Sequence, residues 1–114
     1  MSKVDNSQFG QRLVEAMELR RVSGVLLSKL SGISQSNITH YRKGDYTPSL
    51  DTIKTFCRIL MVDPLWLMGM ENDKTPKEVS DKSLLHNRLE NYLSEMTVEQ
   101  MRKVVVFVEE FILK

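Results

Sequence analysis

The sequence predicts an all-α fold, with five helices in a first unit and two more after it. Three observations support this expectation. Apolar residues recur at three- and four-residue spacing along most of the 114 residues. Serine, threonine or aspartate precedes most of these stretches and glycine follows several of them, as helix caps do. No alternating apolar–polar run bounded by hairpin turns occurs, so a β-sheet is not expected.

Phe9, Leu13, Ala16 and Met17 fall on one face and predict a first helix from about Gln8 to Arg20. Ser23 is placed to cap a second, whose apolar side holds Leu26, Leu27 and Leu30. Gly32 stands where a helix end favours positive φ. Ser34 then caps a third helix, Gln35 to Lys43, and Gly44 closes it. Asp45-Tyr46-Thr47-Pro48 reads as a turn, and Ser49 caps a fourth helix with Leu50, Ile53, Phe56, Cys57 and Leu60 on one side. Asp63-Pro64 starts a short fifth helix holding Leu65, Trp66, Leu67 and Met68, which Gly69 stops.

The polar stretch from Glu71 to about Lys82, with Pro76 inside it, reads as a linker. A sixth helix follows, with Leu84, Leu85, Leu89, Tyr92, Leu93 and Met96. Thr97 and Gln100 form a capping-box pattern that opens the last helix, whose apolar stripe is Val98, Met101, Val104, Val105, Val108, Phe111 and Ile112. The expected organisation is a domain over 1–70, a linker over 71–82 and a helical element over 83–114.

Composition narrows the function classes. A hydrophobic fraction of 41% and a charged fraction of 27% suit a globular chain and not a disordered one. One cysteine excludes an internal disulfide framework and a multi-cysteine zinc site, and a reducing, cytoplasmic compartment is expected. His40 and His86 lack ligand spacing, so no metal is expected. The longest purely apolar run, Val104 to Val108, is far too short to span a membrane, and the polar N-terminus shows no secretion signal. No glycine-rich phosphate loop, HExxH pattern or nucleophile–base constellation appears, so neither an enzyme nor a cofactor is expected.

The informative segment is Ser23 to Gly44. Two short helices joined by Ser31-Gly32-Ile33-Ser34 have the spacing of a helix-turn-helix, whose second helix enters a DNA major groove. Ile33 is expected to plug the angle between them. Ile38 lies on the buried side of the second, with Tyr41 one turn on. The other side shows Gln35, Ser36, Asn37, Thr39, His40, Arg42 and Lys43, side chains suited to reading base edges and phosphates. The net charge is only +1, yet no acidic residue lies between Glu18 and Asp45, where Arg20, Arg21, Lys29, Arg42 and Lys43 stand. That local imbalance suggests a phosphate-facing surface. Chance clustering on a solvated face is the plain alternative.

Residues 9 to 69 resemble the Cro/repressor-type, XRE-like helix-turn-helix family. The resemblance rests on Phe9-Gly10-Gln11-Arg12-Leu13, on Ser23, Leu27, Gly32, Ile33, Ser34, Ser36, Ile38, Tyr41 and Gly44, on Pro48-Ser49-Leu50 with Thr52 and Ile53, and on Val62 through Gly69. The Trp66-Leu67-Met68-Gly69 ending is similar to phage and prophage repressors. The resemblance implies a five-helix repressor-like DNA-binding domain acting as a dimer on a two-fold operator. It implies base contacts from Gln35, Ser36, Asn37, Thr39 and His40. It implies phosphate contacts from Ser23, Gly24, Ser34, Arg42, Lys43 and Tyr46. Gly24 departs from the family, which often has a phosphate-bracing glutamine there.

Cys57 and Trp66 read as packing residues, Met61, Met68 and Met70 as core or interface filler, and His86 as a surface residue. The last two helices are too short to bury enough apolar surface alone, so a homodimer is expected through Leu85, Leu89, Tyr92, Val104, Val105, Val108, Phe111 and Ile112. The alternative is that they pack on the first domain. The leading function is a sequence-specific, double-stranded-DNA-binding transcriptional regulator of phage-repressor type, with an antirepressor protein as a candidate further partner. An antitoxin or restriction–modification controller keeps the DNA binding in another circuit. A protein-interaction module on the same scaffold is the third reading.

Overall fold

The computed structural model describes residues 5–70, 76 and 78–113, so residues 71–75 and 77 of the expected linker lie outside the described residues. Regular structure among the described residues is entirely helical. In chain order it comprises α1 (Asn6–Leu19), α2 (Gly24–Ser31), α3 (Gln35–Lys43), α4 (Leu50–Leu60), α5 (Pro64–Leu67), α6 (Asp81–Ser94) and α7 (Val98–Phe107), which runs on into a π-helical turn, Val108–Ile112. The chain divides into two compact units, residues 1–80 and 81–114.

Helix starts follow the capping residues. The N–H groups of Leu26, Asn37 and Thr52 donate to the hydroxyl oxygens of Ser23, Ser34 and Ser49, each at 3.1 Å. The capping box at Thr97 and Gln100 forms in both directions. α1 starts two residues before the expected Gln8, because Asp5 accepts from the N–H groups of Ser7 and Gln8. α3 spans the expected residues, between capping Ser34 and Gly44 at φ 83°.

Two helix ends need no glycine. α1 closes with Arg21 left-handed at φ 55°, with Arg21 N–H donating to Glu18 O at 3.2 Å and Val22 N–H to Met17 O at 2.8 Å. α4 closes similarly through Met61 at φ 57°. A non-glycine residue pays about 1 kcal/mol there. The following residues, Val22 and Val62, are both buried, and that apolar contact offsets the strain.

In the first unit α1 packs on α3 and α5, α2 on α3 and α4, and α4 on α5. Phe9, Leu13, Leu27, Ile38, Ile53, Phe56, Leu60 and Leu67 are almost completely buried at the centre. Cys57 is buried too, and burial together with the charge of Asp63 pushes its thiol up to about 12, so it stays a protonated core residue. Leu50, expected on the buried side of α4, is 61% exposed because it begins the helix at the domain edge.

The tightest approach is at Gly10. A Cβ there would lie 2.6 Å from the carbonyl oxygen of Arg42 and 2.7 Å from that of Tyr41, so α1 sits directly on the last turn of α3. Arg12 then ties α1 to α5. Its guanidinium donates to the Trp66 carbonyl and lies 5.1 Å from the centre of the Trp66 ring, a cation–π contact.

In the second unit the leucines of α6 do not form a buried stripe. Leu85, Leu89, Tyr92 and Leu93 are exposed, while Asn91 is buried with its amide donating to the Asn87 carbonyl at 2.8 Å. α7 and its π-helical extension have no buried residue, and Phe107, Phe111 and Ile112 are all exposed.

Gly10→Ala should destabilise the first unit by about 1–3 kcal/mol, because backbone at α3 must move to admit the methyl. Thermal denaturation should show a correspondingly lower midpoint.

Candidate nucleic-acid interface

The interface candidate is built around α3. Its only buried residue is Ile38, and Tyr41 is half-buried against Phe9 and Phe56. Every other position of the helix is left free to be polar. Gln35, Ser36, Asn37, Arg42 and Lys43 are exposed, and Thr39 and His40 are half-exposed. The Thr39 hydroxyl donates to the Gln35 carbonyl at 3.0 Å, so its oxygen can still accept a hydrogen bond.

The turn between α2 and α3 sets how α3 is presented. Gly32 takes φ 77° and Ile33 packs against the core, as the spacing predicted. The hydroxyls of Ser23 and Ser34 use an oxygen lone pair as caps, so each keeps its O–H proton for another acceptor. The residue whose family counterpart is often glutamine, Gly24, opens α2. The space beside it is filled from α3: the Arg42 guanidinium lies 3.6 Å from where a Cβ on Gly24 would be. A guanidinium and a helix N-terminus are thus brought together, and both favour an anion. Arg42 also shares an open cleft with Glu18, Arg21 and Ser23.

Four cations of the acid-free stretch are exposed, namely Arg21, Lys29, Arg42 and Lys43. The fifth is not, which corrects the expectation. Arg20 is 3% exposed. Its Nε donates to the Leu60 carbonyl at 2.8 Å and a terminal nitrogen to the Met61 carbonyl at 3.0 Å, so it satisfies the C-terminus of α4. Burial pushes its pKa down from the ordinary guanidinium value.

Asp45, which the sequence predicts only as a turn residue, pairs with a side chain of α3. His40 Nδ1 lies 3.1 Å from Asp45 Oδ2, and the His40 ring stacks on Tyr46 with centroids 4.4 Å apart. The available signal was Gly44, whose left-handed geometry turns the chain back so that residues 40 and 45 meet. Asp45 N–H donates to His40 O at 2.9 Å. Asn6 secures this turn through its amide, which donates to the Thr47 hydroxyl at 2.9 Å.

Among the described residues no group of three or more His, Cys, Asp or Glu could hold a metal ion, and no helix is long and apolar enough to cross a membrane. The residues expected to form an oligomer interface belong to the second unit. Leu85, Leu89, Tyr92, Val105, Phe111 and Ile112 are exposed there, and Val104 and Val108 half-buried.

A family model for the Cro/C1-type HTH DNA-binding domain matches residues 12–73, more than half of the chain. No curated protein matches it.

Arg20→Met should cost about 2–4 kcal/mol, since it leaves carbonyls at the end of α4 unsatisfied. The folded variant should keep the salt dependence of wild-type DNA binding, which a titration at several ionic strengths would read.

Proposed function

The chain belongs to the Cro/C1-type helix-turn-helix family of DNA-binding domains, and from that premise we propose a sequence-specific transcriptional repressor of phage type, acting as a dimer on a two-fold operator. The observation that carries this reading is the polar face of α3, held between Ser34 and Gly44, with Arg42 and Lys43 at its end. Gln35, Ser36, Asn37, Thr39 and His40 read base edges in the major groove. Gln35 is the side chain best suited to a bidentate contact with adenine. Ser23, Gly24, Ser34, Arg42, Lys43 and Tyr46 hold phosphates. Arg42 takes over the bracing role of the glutamine that Gly24 replaces. Occupancy of an operator overlapping a promoter is sufficient for repression, and no chemistry is required.

Selection from random duplex DNA should recover a motif of two half-sites about one helical turn apart. The double variant R42E/K43E should bind at least about a hundredfold more weakly at low salt. The slope of log affinity against log salt should fall by about four units, because two cations are lost from each of the two half-sites. Failure to recover any motif, with negligible retention at low salt, would sink this reading.

The dimer is proposed to form through 83–114. Val98, Met101, Val105, Val108 and Ile112 repeat at alternating three- and four-residue spacing, the pattern of a helix seam. Val98, Val105 and Ile112 are more than half exposed in the chain by itself. Arg102 in α7 and Glu109 in the π-helical turn are both exposed and stand seven residues apart. Antiparallel pairing of α7 with a second copy would place each Arg102 opposite a Glu109. Leu85, Leu89 and Tyr92 of α6 extend the apolar surface. R102E and E109R should each weaken dimerisation about tenfold, and R102E/E109R should restore it. Sedimentation equilibrium measures all three. Loss in the double variant equal to the sum of the singles would contradict this arrangement.

A further inference from the structure

We propose that Asp45 and Tyr46 lock His40 into one tautomer and one orientation, making it a fixed hydrogen-bond acceptor for an exocyclic amine on a base edge. The inference rests on the duplex-DNA reading above and specifies the chemistry of one of its readers.

An ionised carboxylate has no proton to give, so the 3.1 Å contact between His40 Nδ1 and Asp45 Oδ2 requires the proton to be on Nδ1. The neutral ring then carries its lone pair on Nε2. Tyr46 fixes the ring plane: the two rings stack at 4.4 Å with planes 23° apart. Tyr46 is itself held edge-on by Tyr41 at 6.0 Å. Tyr41 meets Phe9 at 6.0 Å and Phe56 at 5.9 Å, both edge-on, and both phenylalanines are fully buried. A ladder of rings therefore runs from the domain core to the exposed face of α3. His40 lies one turn beyond Ser36 on that face, so the two belong to the same row of the helix.

The donor–acceptor code of the major groove turns this geometry into a preference. An acceptor complements the N4 amine of cytosine or the N6 amine of adenine. Guanine presents O6 and N7, and thymine O4, which are acceptors and repel it. A histidine free to change tautomer would accept from one pair of bases and donate to the other, and would select neither. The Asp45 carboxylate removes the second option, and the Tyr46 stack removes the rotational freedom that would blur the contact.

The test uses the full chain at about pH 8, where a free imidazole is neutral. In the unbound protein, nitrogen-15 spectra of the His40 ring should show a protonated Nδ1 and a bare Nε2. Asp45→Asn should move the ring to a mixture of tautomers. In selection from random duplex DNA, the wild type should enrich cytosine or adenine at one position of each half-site. D45N should reduce that enrichment about tenfold while the other positions persist, and D45E should restore it. Y46A should broaden the same position, whereas Y46F, which keeps the stack, should not. Thermal melts should show that each variant is folded, because Asp45 and Tyr46 are exposed.

A proton on Nε2 in the wild type would overturn the proposal. So would a motif unchanged in D45N, including uniformly tighter binding to all sequences, which would mean that Asp45 acts only as a negative charge. Failure of the wild type to select any motif would overturn the DNA reading and the proposal with it, and is distinct from a motif indifferent to D45N.

Discussion

The contact on which the rest of the first unit depends is the seating of α1 on the last turn of α3 at Gly10. The missing side chain lets backbone meet backbone there, with the carbonyls of Tyr41 and Arg42 against the space a Cβ would occupy. α1 is in turn fixed at two other points, by Arg12 on Trp66 of α5 and by Arg20 on the carbonyls that end α4. The polar face of α3 thus rests on a helix fixed at three points. Positioning of this kind lets a short helix present side chains without spending their own surface on packing.

α3 shows how little burial such a helix needs. Ile38 enters the core, Tyr41 half-enters, and Ile33 fills the angle before the helix. The remaining positions carry polar groups whose hydrogen-bonding capacity is partly committed in advance. Ser34 caps the helix, Thr39 bonds back to Gln35, and His40 is held by Asp45. What each still offers is set by what it has already given. The second unit has the opposite character, with apolar side chains on α7 that the helix itself does not cover. The proposed dimer suits a family of DNA-binding domains, because two linked half-site contacts turn weak binding into tight binding.

Features whose physics is local were readable from the sequence. Ser23, Ser34, Ser49 and Thr97 act within three residues of themselves, and Gly32 and Gly44 within one turn, so the second, third and fourth helices and the start of α7 could be placed closely. Features that depend on distant partners were not. Arg20 looks like any surface cation until α4 brings its carbonyls alongside. The end of α1 was expected near Arg20 and lies there, but the left-handed turn that closes it was hidden, since Arg21 adopts it without a glycine and buried Val22 offsets the strain. In α6, Leu85, Leu89 and Tyr92, expected at an oligomer interface, are exposed, and the apolar pattern gave no sign that Asn91 is the buried residue. The pairing of His40 with Asp45 lay between these cases, since Gly44 was visible but its consequence was not.

The central claim is that α3 and the N-terminus of α2 meet duplex DNA. Backbone amide spectra of the full chain, recorded while a random-sequence duplex is added at low salt, test it most directly. Shifts concentrated at residues 23–24 and 34–46, fading as salt is raised, are the predicted result. Shifts confined to residues 81–113, or none at all, would contradict it.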